Sequence, residues 1–460
     1  MLQDRPGQDR VINPLRGRAV ALSQYFPTAM KLSKYCKTYP LSDDPGSLIL
    51  FSTKNASIIN VPKYLSEDLE KNGLTPEEQE TLQELGFLVR DVLEEKKEIL
   101  GFIDELNALN KRFDAIVVMD LDCNLACKYC FEGQRKGKFY MTTETADRLV
   151  DFIKENVPQN TEEIGITFYG GEPLLSTGLI AYISGKLKSL AEGNGTIYNA
   201  GLITNGTLLT PKVVEKLKPF GLAKASVTLD GPKSVHDKYR PFKSGKGSFD
   251  AIVRNINGVC EMVEVQLGGN FTREDYREFP LLLDYLTDAG LTPDKISDVQ
   301  FFPVFNETEG VAPHDFHDGC STINEPWIME AGVFLREETL KRGYRTGKIT
   351  PVICMMDHIN KIAVNYNGDI YKCPGMIGRD EFKVGHISSG IMDYKQSHNL
   401  DNWKNDKCLD CEYLPLCFGG CRYLKLVRDG KMNGVDCKKP YLDATLRALV
   451  MQDIKYGLKS

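Results

Sequence analysis

The chain contains no run of about 18 consecutive apolar residues, and no basic stretch leads into a short apolar segment near its start. The first absence excludes a membrane-spanning helix, and the second a conventional export signal, so we expect a cytoplasmic protein with no membrane partner. Positive charge is not in excess either: 57 Lys and Arg against 63 Asp and Glu leave a formal charge of −6. Nothing in that balance points to nucleic acid. What the chain does have is length: its 460 residues, 42% of them hydrophobic, are enough for two or three domains with cores of their own. It also has 13 cysteines. In a large chain without an export signal, and with the cysteines grouped at ligand-like spacings, these read as thiolate ligands in a reducing compartment rather than as disulfides.

Residues 1–45 are rich in Pro, Gly, Asp and Arg with little periodicity, and an irregular segment is expected there. Residues 46–110 form a small unit. SLILF and SIINV predict two strands joined at Lys54-Asn55. Thr75-Pro76-Glu77-Glu78 then supplies an N-cap, a proline at the first helical position and an acidic first turn. That helix should stop at Gly86, FLV (87–89) is a third candidate strand, and Val92 to Asn110 traces an amphipathic helix. The pattern fits a winged-helix-like module and equally an N-terminal cap on a catalytic domain. From 111 to 345 six strand-like runs (115–120, 164–170, 197–204, 224–230, 263–270 and 296–305) alternate with helical stretches. Six βα units in series predict an α/β fold, a partial (β/α)6 TIM barrel, with functional groups at the C-terminal ends of the strands. Residues 346–460 lose this periodicity, gather cysteines and end in a helix-like segment.

The first of those strands runs directly into CNLACKYC, which carries Cys123, Cys127 and Cys130. Three thiolates on one tight loop can hold three irons of a cuboidal iron–sulfur cluster and leave the fourth iron without a protein ligand. A zinc site normally closes with four ligands, and no nearby His or Cys completes this set. An open iron is a place for chemistry.

CNLACKYC resembles the CxxxCxΦC motif of the radical S-adenosylmethionine (SAM) superfamily, with Tyr129 as the aromatic Φ. The resemblance implies that the open iron chelates SAM and that one electron cleaves it to a 5′-deoxyadenosyl radical. It makes Cys123, Cys127 and Cys130 the catalytic cluster ligands. YGGEPL, ending the second strand, is similar to the family's next motif. It implies that Gly170 and Gly171 let the backbone approach the ligand, followed by Pro173, and that Glu172 accepts from the SAM ammonium. SVTLDGP with HDKYR looks like the family's fourth-strand region and implies Ser226 and Asp230 near the ribose and Arg240 on the SAM carboxylate. Thr204, ending strand three in Thr204-Asn205-Gly206, is a further cofactor-binding candidate. Read on their own, these groups are also ordinary strand ends and surface turns.

The later cysteines run Cys354, Cys373, then Cys408-x2-Cys411-x5-Cys417-x3-Cys421, and finally Cys437. This resembles the seven-cysteine pattern of SPASM domains, which carry two auxiliary 4Fe–4S clusters, and it implies three clusters in all. By the resemblance, Cys408, Cys411, Cys417 and Cys437 close the distal auxiliary cluster, and Cys354, Cys373 and Cys421 hold the nearer one. Some relatives have an eighth cysteine at the place held here by Asn360. The near site is therefore expected to be open to a substrate group such as a cysteine thiolate, unless His358 or Cys320 fills it. Cys260 reads as a core thiol. Cys320, beside His314 and His317, reads as either a substrate-facing or an ordinary loop residue.

SPASM-bearing members mainly modify peptides, and a small module ahead of the barrel resembles the recognition domain of ribosomal-peptide (RiPP) maturases. The resemblance implies an oxidoreductase that removes hydrogen from a residue of a ribosomally made precursor peptide and forms a thioether or carbon–carbon crosslink. The leader of that peptide would add a strand to the module's sheet. A flavodoxin or ferredoxin would supply electrons. Two alternatives stand beside it. One is an anaerobic sulfatase maturase, although those enzymes usually place an Asp where Pro374 follows Cys373. The other is a non-catalytic iron–sulfur electron-transfer protein.

Overall fold

The computed structural model describes residues 30–41, 44–63, 73–306 and 316–458. Near its start, β1 (Lys31–Leu32) pairs antiparallel with β5 (Leu88–Val89). A three-stranded antiparallel sheet follows, built from β2 (Cys36–Pro40), β3 (Ser47–Ser52) and β4 (Ile58–Pro62), with β3 central. The expected hairpin is β3–β4. The segment expected to be irregular is not so throughout: Cys36–Pro40 pairs along β3 from Cys36 opposite Ser52 to Pro40 opposite Leu48. Alternation is too short there to register as a pattern, and the apolar face of β3 supplies the pairing. Residues 1–29 lie outside the described residues. Helix α1 (Pro76–Glu84) begins as its sequence dictates. The Thr75 side chain accepts from the Glu78 N–H, and the Glu78 carboxylate accepts from the Thr75 N–H at 2.8 Å, a reciprocal capping box. Helix α2 (Val92–Leu109) is capped by Asp91, which accepts from the Leu93 N–H at 2.8 Å.

Six parallel strands then alternate with helices. They are β6 (Arg112–Val118), β7 (Glu163–Tyr169), β8 (Ile197–Thr204), β9 (Leu222–Thr228), β10 (Glu264–Phe271) and β11 (Ile296–Pro303). Between them run α3 (Thr143–Asn156), α4 (Thr177–Gly193), α5 (Pro211–Leu217), α6 (Lys233–Tyr239), α7 (Phe249–Val259) and α8 (Phe279–Asp288). Helix α9 (Pro326–Lys341) follows β11. The strands lie side by side in chain order, the single winding of a barrel rather than the reversed order of a doubly wound sheet. Each helix buries one apolar stripe, such as Phe249, Ile252, Val253, Ile256 and Val259 on α7. Each such side chain contributes about 1.5–3 kcal/mol relative to exposure.

The sheet does not end at β6. Beyond it lie β12 (Lys361–Val364), parallel to β6, and then β13 (Asp369–Tyr371), β14 (Gly385–His386) and β15 (Gly390–Ile391), all antiparallel. Sequence periodicity missed this extension because these strands have two to four residues each. It welds the cysteine-rich segment to the first barrel strand, with Val118, Leu121, Met356, Tyr371, Met376 and Leu426 sharing a buried cluster. The chain closes with α10 (Asp406–Leu409), α11 (Arg422–Asp429) and α12 (Lys439–Lys455). Among the described residues, no helix is long and apolar enough to cross a membrane.

Candidate functional site

The three-cysteine loop leaves the C-terminal end of β6 through two anchored carboxylates. Asp120, fully buried, accepts from the Ser176 hydroxyl at 2.9 Å, and burial pushes its pKa up to about 7. Asp122 accepts from the Tyr140 hydroxyl at 2.6 Å, the Lys243 ammonium at 2.9 Å and the Cys123 N–H at 2.9 Å. Those bonds, Tyr140's first, hold its pKa down to about 2. On the far side of the loop, the Ala126 and Lys128 N–H groups donate to the carbonyls of Pro241 and Tyr239 at 2.8 and 3.0 Å. The HDKYR segment is thus the rail on which the cysteine loop lies.

Cys123, Cys127 and Cys130 line one cavity of about 360 Å³. Tyr129, Gly170, Gly171, Thr204, Asn205, Arg240 and Asn270 share its wall. Burial pushes the Cys123 thiol up to about 11 and raises that of Cys127 as well. Two cations oppose this. Arg240 lowers Cys127, and Lys136, itself on the cavity wall, lowers both thiols. Burial alone would strip the charge from Lys136, but Cys130 and Cys123 outweigh it and raise its pKa.

Tyr129 is the hub of the polar wall. Its hydroxyl donates to Asp230 and accepts from Arg240 Nη1 at 3.0 Å and Asn270 Nδ2 at 3.3 Å. Asn270 also gives its N–H to Asp230 at 2.7 Å. Behind them, the Asp230 N–H donates to His236 Nδ1 at 3.1 Å, and His236 Nε2 meets Ser248 Oγ at 3.0 Å. Ser248 then donates to the Arg240 carbonyl at 2.6 Å. Arg240 Nε, buried on this wall, has no hydrogen-bond partner among the described residues. An orphaned guanidinium N–H beside three thiols fits a ligand with an anionic group, and thiols around a cavity of this size fit a cuboidal cluster better than a single ion.

Four expected cofactor contacts lie elsewhere. Glu172 has no exposed surface and does not line the cavity. Its carboxylate is spent on the Thr204 hydroxyl at 2.7 Å, the Asn205 N–H at 2.8 Å and the Leu174 N–H at 3.0 Å. Pro173 opens a short buried turn, Pro173–Ser176, behind it. Ser226 donates to Gln266 at 3.1 Å one layer below Thr228, which takes the wall position. Asp230 stands behind Tyr129 rather than at the cavity. The Gly170-Gly171 pair is also explained differently. A Cβ on Gly171 would lie 2.0 Å from the Asp122 carbonyl oxygen, and one on Gly170, whose φ is +148°, 2.3 Å from that of Asp120. The glycines let the two strand-end loops touch, so that the Glu172 N–H reaches the Asp122 carbonyl at 2.8 Å.

Sequence reasoning named Asn205 only within Thr204-Asn205-Gly206 and missed Asn270, Lys136, Tyr169 and Tyr423. Asn205 and Asn270 sit at strand ends, a signal that was available; the others had none. Tyr169 stacks on Phe131, their centroids 6.3 Å apart and their planes at 6°. Tyr423 and Val427 reach the cavity from α11.

Cys408, Cys411, Cys417 and Cys437 line a second cavity of about 260 Å³. Its tight turn depends on Gly420, where a Cβ would lie 2.0 Å from the Asp436 carbonyl oxygen. Cys354, Cys373 and Cys421 lie close enough to influence one another, and burial first, then the other two sulfurs, push Cys373 up to about 12. Two buried cations clamp the Cys354 loop to its partners. Arg422 forms a bidentate pair with Asp357 at 2.8 and 3.0 Å. Lys372 donates to the carbonyls of His358, Ile359 and Lys361 at 2.6, 3.3 and 2.5 Å. Cys320, one of the two side chains that could complete this trio, is held elsewhere. It is packed with Phe271, Tyr276 and Phe279 beside β10, its thiol pushed up to about 12 by burial. His358, its pKa lowered to about 4 by burial, feels Lys361, Lys372 and Asp114. His314 lies outside the described residues, and His317 is exposed.

The Radical SAM superfamily model matches residues 120–286. A probable GTP 3′,8-cyclase from Methanococcus maripaludis is 30% identical over 261 residues, covering 55% of this chain and 81% of that protein. A serine-type anaerobic sulfatase-maturating enzyme from Bacteroides thetaiotaomicron is 27% identical over 337 residues, covering 65% of this chain and 80% of that protein. Among solved structures, Streptococcus suis SuiB bound to precursor peptide SuiA has the same fold. Its TM-score is 0.53 at 15% identity, covering 89% of this chain and 99% of that one.

Proposed function

The chain belongs to the radical SAM superfamily and is an enzyme of it; from that premise we propose that it is a peptide maturase, installing an oxidative thioether or carbon–carbon crosslink in a ribosomally made precursor peptide. The observation that carries this reading is the cavity between the cysteine groups. The Cys123–Cys130 loop lines it together with Tyr423 and Val427, which stand on the helix that starts after Cys421. A peptide residue held there lies between a radical source and an electron acceptor. SuiB, which shares this fold, is solved bound to a precursor peptide, and that supports a peptide as the substrate.

Cys123, Cys127 and Cys130 would hold the radical-generating cluster, Cys354, Cys373 and Cys421 a near auxiliary cluster open at one iron, and Cys408, Cys411, Cys417 and Cys437 a distal one. When bound, cluster and SAM supply hydrogen-atom abstraction by a 5′-deoxyadenosyl radical. The protein does the rest. Arg240 offers Nε to the SAM carboxylate while Tyr129, Asp230 and Asn270 fix its plane. Lys136 and Arg240 offset the thiolate charge. Phe131, Tyr169, Val304 and Phe305 exclude water from the reacting residue. Residues 46–110 would act as the winged-helix-like recognition module, 111–345 as the barrel and 346–460 as the SPASM domain. A flavodoxin or ferredoxin in the cytoplasm is the proposed electron donor.

The likeness to the Bacteroides enzyme supports a second reading, sulfatase maturation; Pro374 after Cys373 argues against it. Co-expression with a short cysteine-rich peptide encoded beside this chain, followed by mass spectrometry, tests the first. A loss of about two mass units per crosslink, two hydrogens removed by the cofactor's radical chemistry, supports it. An unmodified peptide together with an oxidised sulfatase serine or cysteine establishes the second.

A further inference from the structure

The N-terminal module, together with the β1 and β2 residues that pair with it, packs on the distal cysteine loop. Lys34 Nζ donates to the Leu409 carbonyl at 2.9 Å, in the turn between Cys408 and Cys411, and pairs with Asp410 at 3.3 Å. Lys96 of α2 pairs with the same carboxylate at 3.3 Å. Thr53, fully buried, donates to the Glu412 carbonyl at 2.8 Å, one residue after Cys411, and Lys37 pairs with the Glu412 carboxylate at 2.8 Å. Apolar packing reinforces these bonds. Tyr35, Ile99 and Phe102 share a buried cluster with Trp403, Leu409 and Phe418, the Phe102 and Phe418 rings stacked with centroids 5.4 Å apart. Ile49, Phe51 and Ala56 pack with Tyr413 and Leu416. Asp410, Glu412, Tyr413 and Leu414 themselves line the cavity that holds the four cysteines.

We propose that Lys34 and Thr53 are positioning residues for the distal site, making the N-terminal module a structural wall of that site rather than an independent appendage. The inference rests on the reading of Cys408, Cys411, Cys417 and Cys437 as cluster ligands. The turn carrying Cys408 and Cys411 has its outward carbonyls tied to the module, so a thiolate leaving the cluster stays within rebinding distance. Loosening the turn without unfolding the module should let iron escape.

The test compares the reconstituted full-length protein with Lys34→Met/Thr53→Val and with Lys34→Arg/Thr53→Ser, which keeps a cation and a hydroxyl at these positions. Iron release to the ferrous chelator ferrozine is followed anaerobically after dithionite reduction, with Cys408→Ala/Cys411→Ala identifying the distal share of the iron. Two partly buried hydrogen bonds lost should speed release of that share roughly fivefold or more. The remaining iron should leave at the wild-type rate, SAM binding should be unchanged, and the conservative pair should restore slow release. Equal release rates in Lys34→Met/Thr53→Val and wild type overturn the inference. Full iron content in Cys408→Ala/Cys411→Ala, which leaves only two thiols at the site, overturns the cluster reading and the inference with it, so the two failures are distinguishable.

Discussion

Replacing Glu172 by Gln separates two accounts of the GGEP motif. In the structure its carboxylate accepts three hydrogen bonds, from the Thr204 hydroxyl and the Leu174 N–H on one oxygen and from the Asn205 N–H on the other. An amide has one acceptor oxygen, so whichever way it turns, its NH₂ faces at least one of the two backbone N–H donors. A buried donor left unmade costs about 1–3 kcal/mol. Part of this is returned because the neutral amide no longer requires a buried charge, whose burial raises the Glu172 pKa. A net loss of about 1–2 kcal/mol corresponds to a fall in melting temperature of roughly 2–8 °C for a barrel-sized unit. SAM affinity, measured by anaerobic equilibrium dialysis, should change less than about fivefold, because Glu172 does not line the cavity. If the carboxylate instead holds the SAM ammonium, affinity should fall roughly thirtyfold or more at an unchanged melting temperature. That result would refute the structural account.

Three further outcomes follow from the same geometry. Arg422→Met strands Asp357, whose side chain is only 3% exposed, and should cost about 3–5 kcal/mol in denaturant unfolding, whereas Arg422→Met/Asp357→Leu should recover most of it. Ser248→Ala cuts the link from His236 to the Arg240 carbonyl and should weaken SAM binding roughly fivefold, one hydrogen bond's worth, while Ser248→Thr preserves it. His358 is held neutral, with its folded pKa lowered to about 4 from 6.5. Its contribution is therefore present in full above pH 6.5, is lost as the unfolded state protonates between pH 6.5 and about 4, and levels off below. Urea midpoints of the apoprotein across that window should fall less steeply in His358→Gln than in wild type.

Much of the barrel is legible in the sequence because each strand alternates over seven or eight residues and ends in a recognisable turn. Ile197–Thr204 matches its expected range to the residue. Strands β12 to β15 were not legible: runs of two to four residues are too short to show a pattern, and their place in the sheet is set by β12 pairing with β6. The same division holds at the site. Cys123, Cys127, Cys130, Tyr129, Thr204 and Arg240 meet at one cavity, as their motifs imply. Glu172 and Asp230 were expected to touch the ligand, yet Glu172 is buried behind Thr204 and Asp230 behind Tyr129, the side chains that line the cavity. A motif reports that a side chain is required, and a buried carboxylate holding Thr204 or Tyr129 in place is as strictly required as one that binds the cofactor. Gly170 and Gly171 follow the same logic, since close approach is needed there between two loops of the chain.

The most direct test of the central claim, that the Cys123–Cys130 loop generates the radical in this enzyme, is 5′-deoxyadenosine formation by reconstituted protein with SAM and dithionite under anaerobic conditions. The account predicts that the wild type forms it and that Cys127→Ala does not, while the variant keeps the iron of the two C-terminal cysteine sites. Equal 5′-deoxyadenosine from Cys127→Ala, or none from fully reconstituted wild type, would contradict it.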